Sequence, residues 1–253
     1  MKRIVNLMLV TLAFSSCVPL YYMPNNANIP LLKEEGETVA QAHYGATDDM
    51  NFFGLNAAHA IGKNTALMFN TSAFITDHKP EEVSSPIEIE NNRNYNSSVR
   101  AFMAEAGVGF FIPVSKDSVF VFETYAGYGL YSANRALNSN QSITYNIHRP
   151  FIQPSIGIRY KRVELSYGLR LSKLFFANSR PSTAFEIDEI AMSGYDVWDK
   201  AFRLEHSFTL GIGNDRIKAQ IQWINTPFFN ILSETATGIE GNSNISMGIR
   251  YRF

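Results

Sequence analysis

The chain has 253 residues, a formal net charge of −1, 45% hydrophobic and 13% aromatic residues, and one cysteine. So balanced a charge excludes the basic field that a nucleic-acid partner requires, and a single cysteine cannot close an internal disulfide. Mean hydropathy is −0.11 and no window beyond the N-terminal region is apolar enough for a membrane helix, which leaves a soluble domain or a barrel whose hydrophobicity is hidden in alternation.

Lys2-Arg3 and the apolar run from Ile4 to Phe14 form a basic n-region and an h-region about half as long as a membrane helix, so residues 1–16 read as a secretory signal. Phe14-Ser15-Ser16-Cys17 places small residues before the lone cysteine. It resembles a bacterial lipoprotein cleavage box, with Phe14 where Leu is usual. Cys17 is therefore the expected lipid attachment site, carrying acyl chains such as palmitate; the other reading is a residue lost with the signal or a free thiol. Val18 to Asn26 lacks the acidic residues that mark surface-exported lipoproteins in some phyla. Residues 17–36 are thus expected as a lipidated linker on the periplasmic side.

From residue 37 onward the chain alternates. Candidate strands lie near 37–45, 50–61 and 65–75. Phe102, Ala104, Ala106, Val108, Phe110 and Ile112 oppose Glu105, Gly107 and Gly109, and Phe120, Phe122, Ala126, Tyr128 and Leu130 oppose Glu123, Gly127 and Gly129. The same two-residue period runs through Ser155 to Tyr160, Val163 to Ser172, Phe202 to Ile212, Ile217 to Trp223 and Ile245 to Phe253. That makes ten strands. Links near 62–64, 115–117, 161–162 and 213–215 are tight, whereas those near 76–97, 133–143, 176–199 and 227–242 are long. Only the turn at 46–49 is short among the second set. Segregation of short turns from long loops, with Tyr160, Trp223 and Tyr251 near strand ends, predicts an all-β fold: a transmembrane antiparallel up-and-down β-barrel over 37–253 with both termini periplasmic. Its outward face would meet outer-membrane lipid.

The C-terminal strand carries a second message. Ser246, Gly248, Tyr251 and Phe253 resemble the terminal pattern by which the barrel-assembly machinery recognises its substrates. The inward-facing set contains Glu105, Glu123, Arg159, Glu164, Arg170, Arg203, Glu205, Lys218, Arg250 and Arg252. Charges of both signs in a narrow tube must pair, since unpaired burial is costly. Arg159 and Glu164 flank the turn at Lys161-Arg162 and are expected to face each other. A lower layer of Glu123, Arg159, Glu164, Arg250 and Arg252 and a higher one of Glu105, Arg170, Arg203 and Glu205 are predicted. Such layers would close the lumen; the alternative is an ion-selective constriction in a small ion or solute channel.

No catalytic, cofactor-binding or metal-ligating residue is predicted. Asp48-Asp49 and Asp77-His78 invite comparison with omptin proteases, but adjacent residues on an extended strand point to opposite sides. His43, His59, His148 and His206 are scattered without ligand spacing, and a barrel lipid esterase has no distinctive serine. The outer loops hold acidic residues (Glu81, Glu82, Glu88, Glu90; Glu186, Asp188, Glu189, Asp196, Asp199), and the fourth also holds Phe185, Ile187, Ile190, Ala191, Met192, Tyr195, Val197 and Trp198, a mixture that fits a lid or a docking surface for a protein partner.

The stretch Met23 to Glu37, after the cleavage box and before the alternating strands, resembles outer-membrane β-barrel lipoproteins of the Bacteroidota. That resemblance implies an envelope location and no reaction. The expectation is a non-enzymatic structural or accessory subunit of an outer-membrane assembly, with a channel or a barrel-embedded hydrolase as the competing readings.

Overall fold

The computed structural model describes residues 22–46, 50–76, 98–114, 119–136, 142–181, 202–226 and 242–253. Eleven strands form one sheet: β1 (Thr38–Ala46), β2 (Asn51–Ala60), β3 (Thr65–Ile75), β4 (Val99–Pro113), β5 (Phe120–Ala136), β6 (Ser142–Tyr160), β7 (Val163–Lys173), β8 (Phe175–Pro181), β9 (Phe202–Gly213), β10 (Ile217–Thr226) and β11 (Asn242–Arg252). Every pairing is antiparallel and joins sequence neighbours, except that β8 pairs with β6, β9 with β7 and β1 with β11. Pairing of β5 with β6 and of β1 with β11 leaves the sheet closed on itself.

Ten strands span the wall. β8 prolongs β7 after the single residue Leu174, and together they pair along one long β6: β7 with Phe151 to Tyr160, β8 with Ile143 to His148. The ladder between β6 and β7 skips Gln153 and Pro154, where proline has no N–H to give. Two expected loops shorten accordingly. Residues 133–136 and 142–143, expected as loop, are strand, and so are 176–181.

Alternation explains which way each side chain points. On β11, Ile245, Met247, Ile249 and Tyr251 are exposed, as is Phe253 just after it, while Asn244, Ser246, Arg250 and Arg252 are buried. Exposed Phe53, Leu55, Leu67, Phe69, Phe102, Val108, Leu130, Ile152, Leu165, Leu210 and Ile221 extend this apolar belt around the barrel. Aromatic groups with a polar partner edge the belt: Tyr44 donates to Asn51, Trp223 to Ser243, and Tyr128 and Tyr167 bond to His148 and His206. Such amphipathic rings favour a membrane interface. At the other rim Tyr251 packs edge-on against Phe253. The connections at this second rim (61–64, 114–119, 161–162, 214–216) are short, and Thr38 and Phe253 lie together there through the Phe253 N–H to Thr38 carbonyl bond. By the rule that short turns and termini are periplasmic, this is the inner rim. The fold is an outer-membrane-type β-barrel.

Candidate functional site: a lumen filled by the N-terminal segment

Residues 22–32, expected in the periplasm as linker, lie instead inside the barrel. All eleven are buried, Leu31 and Leu32 completely. The segment keeps step with β11: Asn244 donates to the Pro24 carbonyl, Asn26 to Ser246 Oγ, Arg250 to the Ile29 carbonyl, and Arg252 to the carbonyls of Pro30 and Leu31. A sequence offset of 220 to 222 throughout means an extended chain parallel to β11. Eleven extended residues reach roughly 33 Å, enough for the apolar band of about 25 Å.

Its ends sit in different apolar clusters. Tyr22 and Met23 share a cluster with Met50, just before β2, and with Phe52, Phe74, Val99, Tyr131 and Tyr145 toward the outer ends of their strands. Leu32 packs with Val39, Ala60, Ala66 and Phe111 at the inner ends. Glycines on the wall make room between them: a Cβ on Gly157 would lie 2.5 Å from Leu31 Cδ2, and one on Gly168 2.7 Å from Ile29 Cδ1. Leu31 itself takes φ +52°, a left-handed conformation unfavourable for a bulky residue. Its carbonyl is held there by Arg159 and Arg252.

Two ionic layers clamp the segment. In the outer layer Arg149 pairs with Glu105 and, at 3.0 Å, with Glu205, and Arg170 reaches Glu205 at 3.2 Å from the directly opposite register position. Asn25 is built into it: its Oδ1 accepts from Arg149 at 2.9 Å and Arg170 at 2.7 Å, and its Nδ2 donates to Glu105 at 2.7 Å. The Tyr22 hydroxyl bonds Arg149 and donates to Glu205. Arg203 is buried two residues before Glu205 on β9.

The inner layer centres on Glu164, 2.5 Å from Arg250 and 3.2 Å from Arg252. Arg159 does stand opposite Glu164 in the ladder, but its Nε is 3.9 Å away, and its short contact of 2.6 Å is to Glu37, which also takes Arg252 at 2.8 Å. Arg159 is thus drawn to the carboxylate that precedes β1. Glu123 lies outside these pairs; its Oε1 accepts the Leu32 N–H at 2.7 Å. Lys218, opposite Arg250 in the ladder, escapes like-charge contact by donating to the Lys161 carbonyl. At the inner mouth, partial burial and then the charges of Arg159 and Arg252 draw the Lys33 ammonium below the usual lysine range. Between the layers, Gln222 exchanges bonds with both the N–H and the carbonyl of Ala27, and Asn28 donates to Asn70. A polar cavity lined by Asn26, Gln41, His43, Gln220, Gln222 and Ser246 measures about 10 Å³, space for one water at most.

Of the expected terminal recognition residues, Ser246 faces inward against Asn26 and Gly248 abuts His43, whereas Tyr251 and Phe253 face outward. Cys17, residues 1–16, the pairs Asp48-Asp49 and Asp77-His78, and the acidic and apolar groups of the second and fourth outer loops lie outside the described residues. Among the described residues there is no cluster of three or more potential metal ligands. His43, His59, His148 and His206 occupy four different strands, β1, β2, β6 and β9. Arg149 and Glu37 were missed by sequence reasoning. Arg149 shares the odd-numbered parity of Gln153, Ser155 and Arg159, a sign obscured by Pro150 and Pro154.

Neither a family model nor a curated protein matches the chain. Among solved structures it is similar to a major outer membrane protein of Thermus thermophilus (13% identity, TM-score 0.40, covering 86% of this chain and 99% of that one). It is also similar to the KdgM porin (9%, 0.37, 85% and 99%) and to the translocator domain of the autotransporter NalP from Neisseria meningitidis (11%, 0.38, 86% and 86%). At such values the superpositions carry no argument about activity, and the barrel stands on its own strand pairing.

Proposed function

We propose that the protein is a non-conducting outer-membrane barrel lipoprotein, exported by a signal over residues 1–16, acylated at Cys17, and acting as a structural or accessory subunit of an outer-membrane assembly. The observation that carries the closed state is the unbroken burial of residues 22–32 between two ionic layers. A pore needs continuous hydration, and here the path is occupied by backbone whose carbonyls already bond Arg159, Arg250 and Arg252.

A subunit role draws support from the uneven wall. β5 and β6 have 17 and 19 residues, whereas a tilted membrane strand needs about 9–11. Their outer parts rise beyond the lipid, and there the outward residues turn polar: Ser132, Asn134 and Thr144 replace the Leu130 type, with Asn134 bonded to Thr144. A protruding polar ribbon is a surface for a protein partner. Ser246, Gly248, Tyr251 and Phe253 fit recognition by the barrel-assembly machinery during insertion.

Planar-bilayer recording tests the closed state. The wild type is expected to be silent, and a variant lacking residues 22–32 to conduct. Steady wild-type conductance would replace this reading with that of a small channel. Gentle-detergent purification tests the subunit role through a stoichiometric partner, and intact mass of the mature protein tests acylation at Cys17.

A further inference from the structure

The direction of the luminal segment has a topological consequence. Its residue numbers rise together with those of β11, from Pro24 beside Asn244 to Leu31 beside Arg252, and β11 runs from the outer rim to the inner rim. Tyr22 is therefore the outer end of the segment, among Phe74, Val99, Tyr131 and Tyr145, and Lys33 the inner end, bonded to the Arg159 carbonyl. We propose that the polypeptide preceding Tyr22 leaves the barrel through its outer mouth, so that the mature N-terminus is displayed on the cell surface.

Return to the periplasm is blocked on both routes. Inside, the lumen already holds one extended chain with its residues buried, and the polar cavity beside it measures about 10 Å³, too small for a second strand. Outside, the chain would have to cross the apolar belt with its backbone polar groups unpaired, which hydrocarbon does not tolerate. In a chain cleaved before Cys17, as proposed above, the five residues from Cys17 to Tyr21 extend at most about 18 Å, too short to reach around the barrel. For a chain acylated at Cys17, which rests on the reading above, the acyl chains enter the outer leaflet. This replaces the periplasmic anchor expected from the sequence.

Two labelling experiments on intact cells test the topology. An epitope inserted between Val18 and Pro19 should be bound by antibody on intact cells as fully as after permeabilisation, matching a control epitope in the 182–201 connection. Leu20→Cys, which adds no length, should react with a membrane-impermeant maleimide on intact cells, with heat-modifiable mobility showing that each barrel is folded. Labelling of either folded variant only after permeabilisation, or not at all, overturns the proposal. The unmutated chain separates the two ideas: reaction of Cys17 itself on intact cells supports the topology and refutes acylation. A silent Cys17 beside a reactive Leu20→Cys supports both.

Discussion

Glu164→Gln is the sharpest probe of the inner layer. Glu164 divides its oxygens between Arg250 at 2.5 Å and Arg252 at 3.2 Å. Arg252 and Arg159 keep Glu37 when Glu164 is neutralised, but Arg250 is left with the Ile29 carbonyl and, in the amide orientation that suits them, the oxygens of Gln41 and Gln220. An uncompensated buried guanidinium costs about 3–5 kcal/mol. Arg159 is a fifth exposed at the inner mouth and beside other cations, so Arg159→Met should cost only about 1 kcal/mol. Urea unfolding in detergent, followed by heat-modifiable mobility, gives the midpoints. Combining Glu164→Gln with Arg250→Met should recover much of the single-mutant losses, a coupling of about 0.5–3 kcal/mol, whereas the pair with Arg159→Met should be nearly additive. Additive losses for Glu164→Gln with Arg250→Met would refute the assignment of Arg250 as the dependent partner.

Gly157→Ala places a Cβ 2.5 Å from Leu31 and should destabilise the barrel by about 1–3 kcal/mol, with part of the loss restored by adding Leu31→Ala; no restoration would deny the contact. Asn25→Leu removes one partner each from Arg149, Arg170 and Glu105 and should lower the unfolding midpoint by an equivalent of about 1–3 kcal/mol. The same change at Asn134, exposed on the β5–β6 ribbon, should do far less. Deleting Phe253, which is 74% exposed, should empty the outer membrane of folded protein while leaving detergent-refolded barrel close to the parent in stability; normal outer-membrane levels would contradict an assembly role.

Strand alternation made the barrel readable, because a wall with lipid on one side and polar side chains on the other repeats every two residues from Val39 to Arg252. It also carried the inward set. Every predicted luminal charge is buried except Arg159, which is partly exposed at the rim. The luminal segment was illegible for the converse reason. It forms no ladder, so Pro24, Asn25, Asn26, Asn28 and Pro30 show no period and read as linker, although their bonds go to six strands of the closed wall, β2, β3, β4, β6, β7 and β11. Glu37, one residue before β1, looked like the end of that linker; its role emerges when β11 brings Arg252 within 2.8 Å. Partner choice was equally out of reach: adjacency on neighbouring strands predicted Arg159 for Glu164, but the plug-side carboxylate competes for it.

The central claim is that residues 22–32 fill the lumen with Tyr22 outward, and paired cysteines test it most directly. Asn26 and Ser246 are in side-chain contact at 2.6 Å, close enough for their replacements to form a disulfide. Asn26→Cys with Ser246→Cys should cross-link on mild oxidation and prevent the segment from leaving the barrel on heating, while Asn26→Cys with Arg252→Cys, at the opposite end of β11, should not. Cross-linking of the second pair, or of neither in a folded barrel, would contradict the account.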